Sequence, residues 1–395
     1  MNKKKYVNRN YLTTTRIIAL GFLITVIVGT ILLSLPIASA NGTWTDLLTA
    51  AFTSTTSVCV TGLVVVDTFS YWSLFGKGVI LILIQIGGLG IVSIITLFML
   101  LFRMKITLKS TMLLQDAFNL NSKQGLLKFT IKVIKGTFLI EGIGAFIYSF
   151  YYCREYGLLK GIWFSVFHAV SAFCNAGLDI MGADSLIPYH SNLLMMLNTS
   201  FLIIMGGIGF IVWWDTVEAF RRIRTKKCSI RSAWNGVHLQ TKIAIFMTLL
   251  LLIGGTVVIY FLERSNPDTL GNLSEKDRIL NAFFQSVTLR TAGFAAVPQA
   301  ALRPVTAFFG ALLMMIGGSP VGTAGGMKTV TIAVIFFTFA AMIRNHEDTE
   351  VFKRNIPVSV VKKAVAIVFL SMSTIFIMTI LLMATNDVNL LDALF

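Results

Sequence analysis

The sequence predicts an all-α polytopic membrane protein built from tandem repeats, three complete and the first span of a fourth. Three observations lead there. Hydrophobic residues make up 55% of the 395-residue chain and charged residues only 13%, with a mean hydropathy of +0.79, a balance rare in soluble domains. Apolar stretches of about 20 residues, the length that crosses a hydrocarbon core as helix, recur along the chain. Shorter segments lie between them, and these repeat in frame.

Seven apolar stretches qualify as spans: 17–35, 78–102, 133–152, 193–214, 243–262, 304–343 with an interruption, and 364–385. The first follows "MNKKKYVNRN" and runs into "IASA", the outline of a secretory signal. Its apolar run is too long for a signal core, so it is read as a retained span. The net charge of +15 follows topology and does not mark a nucleic-acid surface. Basic residues gather before the first span (Lys3, Lys4, Lys5, Arg9, Arg16) and after the second (Arg103, Lys105, Lys109, Lys123, Lys128, Lys132, Lys135). They gather again after the fourth (Arg221, Arg222, Arg224, Lys226, Lys227, Arg231, Lys242) and the sixth (Arg344, Lys353, Arg354, Lys362, Lys363). If the spans alternate, all four clusters share one side, which the positive-inside rule makes cytoplasmic together with the N-terminus. Cys59, Cys153, Cys174 and Cys228 form no disulfide framework and read as small packing residues.

The repeat is explicit in the residues. "FTSTTSVCVTGL", 52–63, returns as "FHAVSAFCNAGL", 167–178, and as "FFQSVTLRTAGF", 283–294, each ending in glycine and a large apolar residue. Gly62, Gly177 and Gly293 are spaced by 115 and 116 residues. A glycine pair follows each: Gly87 and Gly88 in "QIGGLGI", Gly206 and Gly207 in "IMGGIGF", Gly317 and Gly318 in "MIGGSPV". A single pair would signal only close helix packing; three in frame define a unit of span, re-entrant segment and span. The resulting boundaries are 1–102, 103–216 and 217–343 for the three units with their linkers, and 344–395 for the start of a fourth.

Residues 47–59 are too few to cross a bilayer and suit a half-helix. The extended backbone after them is tolerated at membrane depth only where protein buries it or water reaches it. Several such segments arranged around a pore would turn rings of carbonyl oxygens inward, replacing the hydration shell of a monovalent cation. Glycine supplies dihedrals that a Cβ would obstruct. The hydroxyl residues of the half-helix can bond the turn's backbone groups.

Span, pore loop and span in tandem, with "VTGL", "NAGL" and "RTAGF" at the loop ends, resembles the Trk, Ktr and HKT superfamily of K⁺ transporters over almost the whole chain. A start directly at the first span most resembles the Ktr membrane subunit. The resemblance implies a selectivity filter of Val60, Thr61, Gly62 and Leu63, then Asn175, Ala176, Gly177 and Leu178, then Thr291, Ala292, Gly293 and Phe294. Relatives that favour Na⁺ often carry serine at the first filter glycine, so Gly62 favours K⁺. The same resemblance implies a plasma-membrane homodimer with one pore per protomer, a cytoplasmic nucleotide-binding regulatory subunit and Na⁺ as an activator. No resident metal, covalently bound cofactor or nucleic-acid partner is expected.

"GGSPVGTAGGMKT", 317–329, interrupts the sixth stretch with Pro320, five glycines and a lysine, which preclude a regular helix. Similar sequences in Ktr proteins form an intramembrane gating loop, here Gly317, Gly318, Ser319, Pro320, Gly322, Gly325, Gly326 and Lys328. Lys328 either places positive charge under the filter or sits at the cytoplasmic end. The phosphate-loop alternative fails because Met327 separates Gly326 from Lys328 and no strand precedes it. Arg290 is expected to pack behind the third filter segment against a carboxylate or carbonyls, with Glu141 as one candidate partner. His168 is expected to be a hydrogen-bonded structural residue.

Other classes fit less well. Alternating-access carriers usually show inverted repeats, whereas these units share one orientation; a Na⁺-conducting or Na⁺-coupled carrier of the same superfamily is the alternative function. No HExxH, GxSxG or paired intramembrane aspartates support an enzyme. The basic loops 221–231 and 344–363 suit a docking subunit or anionic lipid. Finally, "NDVNLLDALF" parallels "TWTDLLTAAF", placing Phe395 in register with Phe52, Phe167 and Phe283. A fourth glycine is therefore expected near position 405, with roughly 50 further residues for a loop and a span. The 395 residues are expected to be a fragment, nonconducting alone because three segments cannot close a fourfold ring; a three-repeat protein completed by another chain is the alternative.

Overall fold

The computed structural model describes residues 14–90, 93–97, 126–226, 228–346, 348–352 and 354–395. Lys3, Lys4, Lys5, Arg9, Arg103, Lys105, Lys109, Lys123, Lys227 and Lys353 lie outside the described residues, as does the far end of the second apolar stretch.

The described chain is helical apart from loops and a two-residue hairpin pairing Glu350–Val351 with Arg354–Asn355. In the first unit α1 (Thr14–Ser34) packs on the half-helix α2 (Leu47–Cys59) and on α3 (Leu74–Leu89). In the second, α4 (Leu126–Tyr156) packs on the half-helix α5 (Leu158–Cys174) and on α6 (Leu193–Gly207), which α7 (Phe210–Lys226) follows. In the third, α8 (Leu239–Glu263) packs on the half-helix α9 (Glu275–Thr288) and on α10 (Pro304–Met315), and α11 (Thr329–Ile343) completes the unit. The last long helix, α12 (Val358–Thr385), packs on α11.

Local chemistry fixes where these helices begin. Asp46 caps α2 by accepting from the N–H groups of Leu48 and Thr49, and Ser73, Asn192 and Ser274 cap α3, α6 and α9 in the same way. Hydroxyls inside α1 cost little, because Thr25, Thr30 and Ser34 each donate to the carbonyl one turn back. The core lies among the half-helices: Ala50, Val58, Phe167, Phe173, Cys174 and Phe284 are buried. The outer faces of α1, α8 and α12 expose apolar side chains such as Ile24, Ile253 and Phe376, as helices facing hydrocarbon do.

The seven apolar stretches are not seven straight spans. Among the described residues, α1, α4, α8 and α12 are long and apolar enough to cross singly. The second helix of every unit breaks within a few residues of its glycine pair. α3 ends against Gly90 at φ 77°. α6 ends at Gly207, Gly209 adopts φ 95°, and α7 leaves at 96° to α6. α10 ends at Met315 and the helix resumes only at Thr329. The expected interruption of the sixth stretch is thus accompanied by breaks in the second and fourth, which hydropathy alone predicts to be continuous. Only glycine suits position 209, because φ is left-handed there and a Cβ would lie 2.5 Å from the carbonyl oxygen of Pro320.

Candidate ion-conduction site

The three half-helices end alike. Val60, Asn175 and Thr291 are left-handed, at φ 57°, 57° and 67°, and two residues later Gly62, Gly177 and Gly293 have φ 83°, 64° and 85°. Left-handed backbone costs a non-glycine residue about 1–2 kcal/mol, so something must hold each turn. Backbone bonds do part of this: Thr61 N–H donates to Thr56, Ala176 to Ser171 and Ala292 to Thr288, at 3.0, 2.9 and 2.9 Å. Side-chain hydroxyls do the rest. Thr56 Oγ1 accepts from the Leu63 N–H at 3.1 Å, Ser171 Oγ donates to the Leu178 carbonyl at 2.5 Å, and Thr288 Oγ1 donates to that of Phe294 at 2.7 Å. Each half-helix therefore ties down the last residue of its own segment.

The segments converge. A Cβ built on Gly62 would lie 3.4 Å from Gly177 Cα and 3.6 Å from Gly293 Cα, and one on Gly177 would lie 2.6 Å from the Ala292 carbonyl oxygen and 2.7 Å from Gly293 Cα. Glycine is thus required for close approach as well as for φ. At this level the three backbones come close together, with little room for side chains between them. The half-helices direct their C-terminal ends, which carry partial negative charge, toward this meeting point.

Glycines of the second helices let those ends approach. A Cβ on Gly87 would meet the Val58 carbonyl oxygen at 2.1 Å, and one on Gly206 that of Phe173 at 1.9 Å. Val58 and Phe173 hold equivalent places in their units. Gly88 seats Cys174, whose Sγ would lie 2.4 Å from an added Cβ.

Loop 316–328 folds onto the same site. It closes on itself, with Gly317 N–H donating to the Met327 carbonyl at 3.1 Å and Met327 N–H to that of Met315 at 2.9 Å. It is bonded to the α6 end, since the N–H groups of Ser319 and Thr323 donate to the carbonyls of Gly207 and Gly206 at 2.8 and 3.0 Å. It also reaches two of the converging segments. Thr323 Oγ1 donates to the Phe173 carbonyl at 2.9 Å and lies 3.2 Å from the Asn175 side-chain amide, while Gly325 N–H donates to Thr291 Oγ1 at 3.0 Å. Lys328 curls back, its Nζ donating to the Ala324 carbonyl at 2.6 Å.

Two expected partnerships are corrected. Arg290 is buried and takes a carbonyl partner, its guanidinium donating to Gly317 at 3.3 Å, whereas the candidate Glu141 accepts from Gln85 Nε2 at 3.1 Å beside the Cys174 thiol. Both side chains lie behind a converging segment, but different ones. His168 is buried with neither ring nitrogen bonded among the described residues; it is held by Tyr148 and Phe294, whose ring centroids lie 4.9 and 5.0 Å away. Aromatic packing does the structural work that hydrogen bonds were expected to do.

A cavity of about 310 Å³ opens above the three glycines, lined by Asp67 and Asp179 among others. Asp67 caps a short helix through the N–H groups of Phe69 and Ser70. Asp179 accepts from the Met181 N–H at 3.0 Å and the Ser185 hydroxyl at 2.5 Å. Burial pushes the Asp179 carboxyl up to about 6, against those two donors, and the charge of Asp67 adds to the rise. The sequence reading missed both residues because they stand five and two positions past their glycines and so share no register.

The family model described as TrkH, cation transport protein, matches residues 3–395. The chain is 37% identical to the potassium/sodium uptake protein NtpJ of Enterococcus hirae, over 96% of this chain and 81% of that one. It is 36% identical to the Ktr system potassium uptake protein B of Bacillus subtilis, over 100% of this chain and 85% of that one. The potassium transporter TrkH of Vibrio parahaemolyticus shares the fold, with a TM-score of 0.68 at 16% identity, covering 100% of this chain and 76% of that structure. A helical multi-pass membrane protein whose match to the family model runs almost end to end, the chain belongs to the TrkH family of cation transport proteins.

Proposed function

We propose that the chain is the ion-conducting subunit of a Ktr-type K⁺ uptake system in the plasma membrane. The observation that carries this reading is the threefold left-handed turn and glycine at Val60–Gly62, Asn175–Gly177 and Thr291–Gly293, meeting at one point below an acidic cavity. Carbonyl groups of 60–63, 175–178 and 291–294 select the cation once the segments part. The acidic cavity is the outer mouth, and the basic segments and the N-terminus face the cytoplasm. Loop 317–328 is the gate. Its bonds to Phe173 and Thr291 make gate and filter one connected body, so that moving the loop disturbs the filter.

The named functions of relatives support K⁺ as the main substrate, and that of NtpJ keeps Na⁺ in view as a second ion or activator. A homodimer on a cytoplasmic nucleotide-binding subunit completes the proposal. Uptake of a rubidium tracer by a host lacking its own K⁺ uptake, expressing the full reading frame that contains these 395 residues, tests it. Competition by K⁺ far stronger than by Na⁺ is expected; equal competition favours the Na⁺-conducting reading.

A further inference from the structure

The bent fourth stretch leaves one helix with a role that its hydropathy alone did not assign. α6 runs beside the membrane-crossing α4: Asn198 donates to the Gly144 carbonyl at 3.0 Å, and the Tyr148 hydroxyl meets Thr199 at 2.6 Å. A helix at 96° to α6 therefore lies close to the membrane plane. Its depth is marked by what it crosses. Trp213 sits where a Cβ on Gly136 would reach it at 3.2 Å, and Lys132 Nζ stands 5.3 Å over the Trp214 ring. Lys128, Lys132 and Lys135 end the charged turns of α4, and the apolar run 136–152 begins directly after them. α7 thus lies at the level where charge gives way to hydrocarbon. Trp213 pins the bend through its Nε1, which donates to the Met205 carbonyl at 3.0 Å.

The outward face of α7 has the composition that this level favours. Val217 and Phe220 are 55% and 67% exposed, and Arg221 and Arg224 continue the same stripe at positions i+4 and i+7 from Val217. Glu218 is engaged by Arg222 at 3.5 Å, which leaves Arg221 and Arg224 without an acidic partner among the described residues. Apolar groups beside unpaired arginines, on a helix lying in the interface, match acyl chains beside phosphate.

We infer that α7 is an interfacial helix that binds anionic phospholipid, with Val217 and Phe220 at the acyl boundary and Arg221 and Arg224 on the headgroup phosphate. The assignment rests on the basic face being cytoplasmic and not on the identity of the transported ion. The test uses the full chain with Cys59 and Cys153 replaced by alanine and a fluorophore on Cys228, next to the α7 C-terminus. The protein is reconstituted without any partner subunit into mixed phosphatidylcholine and phosphatidylglycerol vesicles. Quenching by a trace of nitroxide-bearing phosphatidylglycerol is compared with quenching by the same label on phosphatidylcholine. Preferential quenching by phosphatidylglycerol is expected, falling about fivefold for each arginine removed in R221Q and R221Q/R224Q. The control pair K362Q/K363Q should leave it unchanged. Equal quenching by both lipids, a preference that survives R221Q/R224Q, or an equal fall in the control pair would overturn the inference. Since no other protein is present, a site kept for a docking subunit would show the first of these outcomes.

Discussion

The Thr323 hydroxyl donates to the carbonyl of Phe173 at 2.9 Å, across 150 residues of sequence. One end of that bond lies in the loop that interrupts α10 and α11. The other is the last turn of the half-helix leading to Gly177. Thr323→Val keeps the shape and removes the hydroxyl, leaving a buried carbonyl short of a donor at a cost of about 1–3 kcal/mol. Tracer uptake should rise and K⁺ over Na⁺ discrimination should fall together. Unchanged values of both would mean that the loop and the second segment are not coupled.

Lys328 separates charge from sterics. Its ammonium holds the Ala324 carbonyl at 2.6 Å, so Lys328→Ala should loosen the loop and raise uptake, by less than deletion of 322–326. A deletion with no effect on uptake would remove the loop as a gate.

The three glycines should not be equal. A serine Cβ at Gly177 meets two neighbours at 2.6 and 2.7 Å, whereas at Gly62 the nearest atom, the Ala176 carbonyl oxygen, lies at 2.9 Å and the next at 3.4 Å. All three positions share the cost of left-handed backbone, about 1 kcal/mol or more, so the tighter contacts at Gly177 should make Gly177→Ser lower folded yield most. Gly62→Ser should fold and lose discrimination against Na⁺. Folded yield and tracer competition measured on both variants separate the two effects.

The acidic cavity predicts a pH dependence. Because the Asp179 carboxyl is held at about 6, above the ordinary carboxylate value, its ionised form weakens the fold at neutral pH and protonation relieves that cost. As pH falls through that value, the mouth loses negative charge, and half-saturation for K⁺ should rise between about pH 7.5 and 5. Asp179→Asn should show the weaker affinity at all pH values and a flat profile. A profile in the variant as steep as the parent's would place the titrating group elsewhere.

Stability away from the conduction site rests on Glu263. Its carboxylate accepts from Thr269 Oγ1 at 2.6 Å, Asn266 Nδ2 at 2.7 Å and the Arg303 N–H at 3.0 Å, as well as from the Thr306 hydroxyl. Glu263→Ala orphans several buried donors and should lower the unfolding midpoint in detergent, with about 3 kcal/mol or more lost, while ion discrimination stays intact. Glu263→Gln should lose less.

What the sequence made legible was the part that glycine dictates. A left-handed turn and a close approach both exclude a side chain, so Gly62, Gly177 and Gly293 stand out in register. The family resemblance carried by the same residues agrees with the match to the cation-transport family. The breaks at Gly90 and Gly209 stayed hidden because a glycine in an apolar run reads equally as packing or as bending. Long-range pairs were out of reach: Arg290 meets Gly317, and Glu141 meets Gln85 and the Cys174 thiol, through folding that no spacing encodes. Asp67 and Asp179 are hidden for a different reason: they stand at different distances from their glycines and so belong to no repeat.

The measurement that bears most directly on the central claim is tracer competition in the uptake-deficient host, run on the parent gene and on Gly62→Ser at matched membrane abundance. A backbone filter at the meeting of the three glycines predicts strong preference for K⁺ over Na⁺ in the parent and a marked loss of that preference in the variant, with uptake retained. The same preference in both would contradict it and take Gly62 out of the ion path.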